Sequence, residues 1–143
     1  MNDDPAAVAT DWIAYALVGA DNAPEEVFAD GWVLVELAMD GSPLAWDAIM
    51  QVIRSFPEEE FYSLDHTVAQ TVGGLTAAGP LEDLISEHGS AFIDKIEMEA
   101  GKDRRFAWAL GGVWESTTPA DIWDRVRRVA DYSYWERSSA NGS

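Results

Sequence analysis

Apolar residues in this 143-residue chain recur at intervals of three and four, the spacing that places side chains on one face of an α-helix. The stripes predict eight short helices, over residues 8–19, 27–38, 45–56, 61–75, 81–88, 92–100, 103–110 and 119–129. No stretch keeps the alternation of a β-strand; the best candidate, residues 32–35, continues in helical register. The pattern therefore predicts an all-α fold.

Prolines and glycines separate these stripes. Each of the six prolines stands where a helix could begin, because the missing N–H has no helical partner at that position. Gly73-Gly74 predicts a kink or break in the fourth helix, since each glycine costs about 1 kcal/mol relative to alanine. The short connections favour antiparallel neighbours, arranged either as a HEAT-like stack of helix hairpins or as a compact irregular bundle.

The length predicts a single helical domain over residues 1–132, followed by an aromatic segment and a frayed tail within residues 133–143. We expect Trp12 and Trp46 in the core, and Trp135 folded back onto the domain rather than exposed as a binding surface. The acidic start of the chain does not resemble a signal peptide, and no apolar run approaches the ~20 residues of a membrane span. We expect a cytoplasmic protein.

The acidic side chains are unevenly distributed along the chain. Residues 1–94 carry 18 Asp and Glu residues against one base, Arg54, whereas residues 95–143 carry eight acids and eight bases. The whole net charge of −17 therefore lies in the first two-thirds. Charge placed in this way affects the choice of partner and the rate of association more than the fold.

This charge argues against two classes of partner and favours a third. Binding to nucleic acid or to an anionic membrane requires clustered Lys and Arg, which the first 94 residues lack. A basic macromolecule is the class of partner that remains. The alternative is an acidic surface that only keeps the protein hydrated.

The sequence offers little catalytic equipment. It has no cysteine, two histidines, no G-x-S-x-G motif and no glycine-rich phosphate loop. The run 58–60 with Asp65 and His66 supplies donor atoms for a metal, but consecutive helical residues point in different directions and do not converge. We therefore predict no catalytic residue, no metal ligand and no cofactor.

Four segments carry a family resemblance: AGPLEDLI at residues 78–85, EHG at 87–89, FID at 92–94 and ALGGVW at 109–114. Their succession resembles a bacterial family of domains of unknown function whose members share AGPLEDLL, HG, FID and LGGVW segments. The likeness is looser over residues 34–56 and does not include residues 1–25 or 130–143. It implies an all-helical fold and brings no assigned reaction.

Each part of this motif also has a structural interpretation. We expect Gly79-Pro80 to begin a helix whose first turn holds Glu82-Asp83, where the helix dipole favours anions by about 0.3–1 kcal/mol each. We expect His88-Gly89 to end it, with the glycine in a left-handed cap and the imidazole near exposed carbonyls. Gly111-Gly112 is expected to reverse the chain and bring Trp114 back over the helices.

These observations together indicate a small acidic binding protein that docks a basic protein partner. Its most concrete form is an immunity-type inhibitor, a bacterial protein that covers the active site of a cationic toxin such as a nuclease. The expected contacts are acidic side chains of the first two-thirds: Glu58, Glu59, Glu60, Asp65, Asp83 and Glu87. One alternative is a scaffold or regulatory subunit that binds through an apolar groove. Another is an uncharacterised carboxylate-dependent enzyme.

Overall fold

The computed structural model describes residues 4–142, and within them every regular element is helical, which confirms the all-α prediction. The elements are α1 (Pro5–Val18), α2 (Glu25–Met39), α3 (Pro43–Arg54), α4 (Glu58–Phe61), α5 (Val68–Thr76), a π-helical turn (Ala77–Leu81), α6 (Glu82–Lys102), α7 (Arg104–Gly111), α8 (Ala120–Val129) and α9 (Ser133–Gly142). Among these described residues, no helix is both long and apolar enough to cross a membrane.

Two helices begin as their prolines predict. Pro5 and Pro43 occupy the first turns of α1 and α3, where the preceding Asp4 and Ser42 side chains accept hydrogen bonds from backbone N–H groups. Such caps satisfy N–H groups that the helix itself leaves unpaired. Pro24, Pro57 and Pro119 instead stand just outside their helices, as the N-cap residues.

The predicted fourth helix, residues 61–75, is wrong, because the chain leaves helical conformation after α4 and starts again at Val68. Thr67 and Gln70 cause the restart by forming a capping box, in which each side chain bonds the backbone N–H of the other at 3.1 Å. The kink expected at Gly73-Gly74 is wrong too, since α5 continues through both residues. A side chain on Gly73 would lie 2.8 Å from the rings of Phe61 and Trp108, so this glycine permits close packing.

The predicted fifth and sixth helices form one helical run with α5. The π-helical turn joins α5 to α6, and Pro80 lies inside that turn rather than at a helix start. A proline ring clashes with the carbonyl four residues earlier in a regular α-helix, and the wider π turn, with Gly79 outside helical conformation, relieves that clash.

The helix end predicted at His88-Gly89 is a bend instead. His88 departs from helical geometry (φ −135°, ψ 20°), but α6 continues through Gly89, which is not left-handed. The bend accompanies a contact with another helix: His88 Nε2 donates to the Met39 carbonyl at the end of α2, 2.8 Å away. The imidazole therefore caps the carbonyl end of α2, and the expected cap on its own helix is wrong.

In the core, α1 contacts α2, α3 and α5, while α7 contacts α3, α5, α6 and α8. Trp12 and Trp46 are 3% and 8% exposed, which confirms their predicted place in the core, and Trp108 is completely buried. Contacts between helices distant in sequence are typical of a compact bundle. A HEAT-like stack stays a prediction.

The C-terminal aromatic segment folds back onto the domain, as expected. The Trp135 ring centroid lies 4.7 Å from that of Trp108, and Trp135 Nε1 donates to the Trp108 carbonyl at 2.8 Å. Gly111-Gly112 leaves room for this contact, since a side chain on either residue would overlap the Trp135 ring. The backbone of α9 is helical as far as Gly142, while the side chains of residues 138–142 lie outside the described part of the structure, so the fraying of this tail stays a prediction.

We expect the contact between Trp135 and Trp108 to contribute measurably to the free energy of unfolding. Replacing Trp135 with alanine removes ring packing and a hydrogen bond, so we expect Trp135→Ala to lower the free energy of unfolding by about 2 kcal/mol. The matched control is Trp114→Ala: this tryptophan is 76% exposed, and its loss should change stability by less than ~0.5 kcal/mol. Urea denaturation followed by circular dichroism measures both, and equal losses would contradict this assignment.

Candidate functional site: an aromatic groove with an acidic rim

A groove of about 320 Å³ opens between α2, the π-helical turn and the start of α6. We call it the aromatic groove; its lining residues are Trp12, Tyr15, Trp32, Val35, Leu75, Ala78, Gly79 and Asp83. Three aromatic rings and one carboxylate are among these eight residues, and no Lys or Arg is. Its apolar lining with one convergent charged group is typical of a ligand-binding cleft.

The floor of the aromatic groove is held in place by hydrogen bonds. Trp12 Nε1 donates to Thr76 Oγ1 at 2.9 Å, and Thr76 Oγ1 donates in turn to the Val72 carbonyl at 2.7 Å. The Trp12 ring also contacts Tyr15, with 5.5 Å between the ring centroids. A buried hydrogen bond from an indole N–H gives the ring one orientation, so the floor is preorganised.

The α2 wall depends on a close helix contact. A side chain on Gly31 would overlap Cβ of Tyr15, so the glycine lets α1 and α2 approach each other directly beside the groove. The next residue, Trp32, is 37% exposed, and its ring stacks on Phe28 with 5.4 Å between centroids and an angle of 10° between planes. One face of Trp32 is thus covered by Phe28, while its side chain also lines the groove.

Carboxylates border the groove on the α6 side. Partial burial, followed by the nearby charges of Glu82 and Glu87, raises the pKa of Asp83 above its usual value. The expected benefit of the helix dipole is reduced here, because α6 continues from the π turn and the Glu82 N–H already donates to carbonyls of that turn. Asp83 therefore carries its charge in an unfavourable environment.

A further carboxylate lies on the α2 side. Trp32 and Val35 line the groove with Gly79 and Asp83, and farther along both helices His88 bonds the Met39 carbonyl. The two helices thus run in the same direction here. Glu36 is exposed one helical turn beyond Trp32 on α2, and Glu87 lies one turn beyond Asp83 on α6. We call Glu36, Asp83 and Glu87 the acidic rim.

A second depression of about 520 Å³ adjoins the groove, with which it shares Ala78. Its other lining residues are Glu82, Trp114 and Ser116. The Trp114 N–H donates to Glu82 Oε1 at 3.1 Å, which ties the loop after α7 to the first turn of α6. The Trp114 ring itself is 76% exposed, so the expectation that it packs over the helices is wrong. Gly111-Gly112 makes room for Trp135 instead.

The other predicted contact residues lie elsewhere. Glu58, Glu59 and Glu60 form the four-residue α4 with Phe61, and Asp65 lies in the loop after it. Glu58 is 3.3 Å from Arg104, whose guanidinium stacks 4.3 Å from the centre of the Tyr62 ring. The structure thus brings Asp83 and Glu87 together on α6, while it ties Glu58 into an intramolecular ion pair.

Tyr62 anchors that second acidic group to the C-terminal helices. Its O–H donates to Asp131 Oδ2 at 2.8 Å, and burial together with this bond raises the pKa of Tyr62 well above its usual range. Burial opposes the charge of Asp131, but hydrogen bonds from Ser133 and Tyr62 hold the pKa of Asp131 below its usual value. This arrangement joins the region of α4 to the start of α7 and to the segment that precedes α9.

Most acidic side chains of the first two-thirds have no internal counter-ion. Among the acidic residues between positions 5 and 94, the ion pairs of the described structure include only Glu58 and Asp94. The bases of the last third pair mainly with acids of their own region, as in Arg105 with Asp103 and Arg125 with Glu97. The excess negative charge is therefore left to solvent or to a partner.

Within residues 4–142, the structure brings no three His, Asp or Glu side chains together in a way that could hold a metal ion. His66, considered above as a donor, has its Nε2 2.7 Å from Thr71 Oγ1. The groups that this surface offers to a binding partner are aromatic rings and carboxylates.

A family model described as "Family of unknown function (DUF6869)" matches residues 19–134. The chain belongs to this family. The DUF6869 match agrees with the resemblance to a domain of unknown function, and it also takes in residues 19–25 and 130–134, which that resemblance left out. A search of curated proteins finds no significant match, and a search of solved structures finds none either. The DUF6869 match leaves out α1, so Trp12 and Tyr15 come to the groove from outside it.

Reasoning from sequence missed the α2 wall of this site, because it assigns tryptophans to helix packing by default. A signal was present in the spacing of Glu25, Phe28, Trp32 and Glu36, which recur at intervals of three, four and four. That spacing forms one helical stripe with an aromatic centre and a carboxylate at each end. A stripe that faces the core rarely ends in charges on both sides.

The environment of Asp83 predicts a stabilising substitution. Because the pKa of Asp83 is raised in the folded protein, its ionisation costs stability as the pH rises through and above its usual pKa, near 3.8. Asp83→Asn removes that cost, and we expect the free energy of unfolding at pH 7 to increase by roughly 0.5 kcal/mol, a small value because the side chain is partly solvated.

Chemical denaturation at pH 7 and at pH 3 tests this expectation. The gain in the free energy of unfolding from Asp83→Asn should be smaller at pH 3, where Asp83 is protonated in both the folded and the unfolded chain. Asp47→Asn, at an exposed position on α3, removes the same charge and serves as the control. An equal gain in both variants would assign the effect to net charge and not to the groove.

Proposed function

We propose that this protein binds a basic protein partner through the aromatic groove and its acidic rim. The observation that carries the proposal is a cleft lined by aromatic rings and the Asp83 carboxylate, with no cation among its lining residues and with Glu36 and Glu87 one helical turn beyond it. In its most concrete form the protein is an immunity-type inhibitor, which neutralises a cationic toxin in the bacterial cytoplasm.

The overall charge supports this proposal through kinetics. Acidic residues that are not paired internally create a field that attracts cationic proteins, and such steering raises association rates by about 10–10³-fold at low ionic strength. Salt screens the field, because the Debye length falls from ~10 Å at 0.1 M to ~3 Å at 1 M. Association that slows steeply with salt is therefore the expected signature.

The exposed aromatic side chains favour a second candidate function. Phe28 is 42% exposed, Trp32 37% and Trp114 76%, and all three lie in or beside the groove region. Aromatic anchors of this kind dominate interfaces that depend on apolar contact. A scaffold or regulatory subunit that binds through them would show little dependence on salt.

If the protein is an immunity-type inhibitor, we expect a gene for a basic toxin next to the gene for this protein. Co-expression of the two proteins should relieve the toxicity of the toxin. We expect growth to be restored by the native chain and not by a variant with the rim reversed, Glu36→Lys/Asp83→Lys/Glu87→Lys. Neighbouring reading frames without any basic product, or growth restored equally by the rim variant, would contradict this form of the proposal.

The role of the rim is tested by association kinetics with that partner at 50 and 500 mM NaCl. Reversing the rim should slow association at least ten-fold at 50 mM NaCl, because it places cations where the partner's cations dock. The matched control Glu59→Lys/Glu60→Lys/Asp65→Lys changes the net charge equally and keeps the pair between Glu58 and Arg104. It should slow association by only about two- to three-fold.

Equal effects of the two triple variants would show that net charge, rather than the groove, directs binding. A rate independent of salt would favour the scaffold function instead.

A further inference from the structure

We propose that the aromatic groove receives the guanidinium group of an arginine side chain from the partner, in preference to a lysine ammonium. This inference rests on the proposed function, since it names the group by which a basic partner is recognised. It concerns the lined pocket at Trp12, Trp32 and Asp83, and not the acidic surface as a whole.

The aromatic lining suits a planar cation. Trp32 has one face stacked on Phe28 and still lines the groove, while Trp12 forms the floor in an orientation held by Thr76. Cations are attracted to the faces of aromatic rings, most strongly to tryptophan, and arginine takes this position more often than lysine. Guanidinium is planar and weakly hydrated, so it stacks on a ring at a smaller desolvation cost than an ammonium.

Asp83 supplies the second half of the recognition. It is the one carboxylate among the lining residues described for the groove, and it comes from α6, whereas Trp32 comes from α2. A guanidinium can stack on a ring with its face and still donate paired N–H bonds to a carboxylate with its edge. An ammonium is a point charge without that geometry.

The same carboxylate argues against an apolar occupant. Burial already disfavours the charge of Asp83, and the neighbouring Glu82 and Glu87 add to the cost. An apolar side chain in the groove would remove the remaining water from Asp83 without replacing its hydrogen bonds. A cationic occupant offsets that cost.

The size of the groove sets the scale of the ligand. At about 320 Å³, it lies at the small end of the range for ligand clefts, which favours one inserted side chain over a longer segment. The adjoining depression at Trp114 continues the surface beyond the pocket, where residues next to the arginine can rest.

Three glycine- and serine-flanked heptapeptides test the inference, with arginine, lysine or citrulline at the central position. Citrulline keeps the planar shape of arginine but is uncharged. We measure binding to the full chain at 50 mM NaCl by two-dimensional NMR, following the indole N–H signals of Trp12 and Trp32. The arginine peptide should bind at least five-fold more tightly than the lysine peptide, and the citrulline peptide should not saturate.

Two variants and two matched controls assign the effect to the groove. Trp32→Leu removes the stacking face and Asp83→Asn removes the carboxylate. Each should lower the affinity for the arginine peptide at least five-fold. Leu64→Ala removes an exposed apolar side chain from the loop after α4, and Asp47→Asn removes an equal charge from α3; both should change affinity less than two-fold. Asp83→Asn keeps the test decisive if Trp32→Leu fails to fold.

The outcomes separate this inference from the proposed function. Arginine and lysine peptides that bind equally well in the groove overturn the preference for guanidinium and leave the binding of a basic partner standing. Unchanged affinity in Asp83→Asn, or shifts confined to residues outside the groove, overturns the site. If neither cationic peptide binds at 50 mM NaCl, both the inference and the proposed function of the groove are contradicted.

Discussion

The contact between Gly31 and Tyr15 is the constraint on which the groove depends. It lets α2 lie directly against α1, and this brings Trp32 to the edge of a floor made by Trp12. The hydrogen bond from Trp12 to Thr76 ties the same floor to the end of α5, where the π-helical turn begins. Three elements thus meet around one cleft, and a side chain at position 31 would separate two of them.

Helix periodicity predicted the fold class and the better-separated helices, because burial of an apolar stripe is a local property of the sequence. It failed where contacts between residues distant in sequence determine where a helix begins, bends or ends. Thr67 and Gln70 start a new helix within a continuous apolar stripe, and His88 bends α6 while it caps the end of α2. Pro80 is read as a helix start, yet a π turn accommodates it within a longer run. None of these features has a signature in hydrophobic spacing.

The acidic part of the candidate site could be predicted from the sequence, but its aromatic part could not. Asp83 and Glu87 are expected contacts on grounds of charge; the structure places Asp83 in the lining of the groove and Glu87 near enough to raise its pKa. Charge alone also favours Glu58, which is paired with Arg104. Sequence cannot distinguish the two groups, because whether a carboxylate has a counter-ion depends on residues distant along the chain. The aromatic part was missed for a related reason: a tryptophan that lines a cleft and one that fills a core have the same helical spacing.

The central claim is that Asp83 is a carboxylate held in an unfavourable environment until a cation occupies the groove. Its side-chain pKa, measured by carbon-detected NMR without and with N-acetyl-arginine amide, tests this most directly. The account predicts a pKa above the usual value of 3.8 in the free protein and a clear decrease when the arginine derivative is bound. An ordinary pKa in the free protein, or a raised pKa that the ligand leaves unchanged, would contradict it.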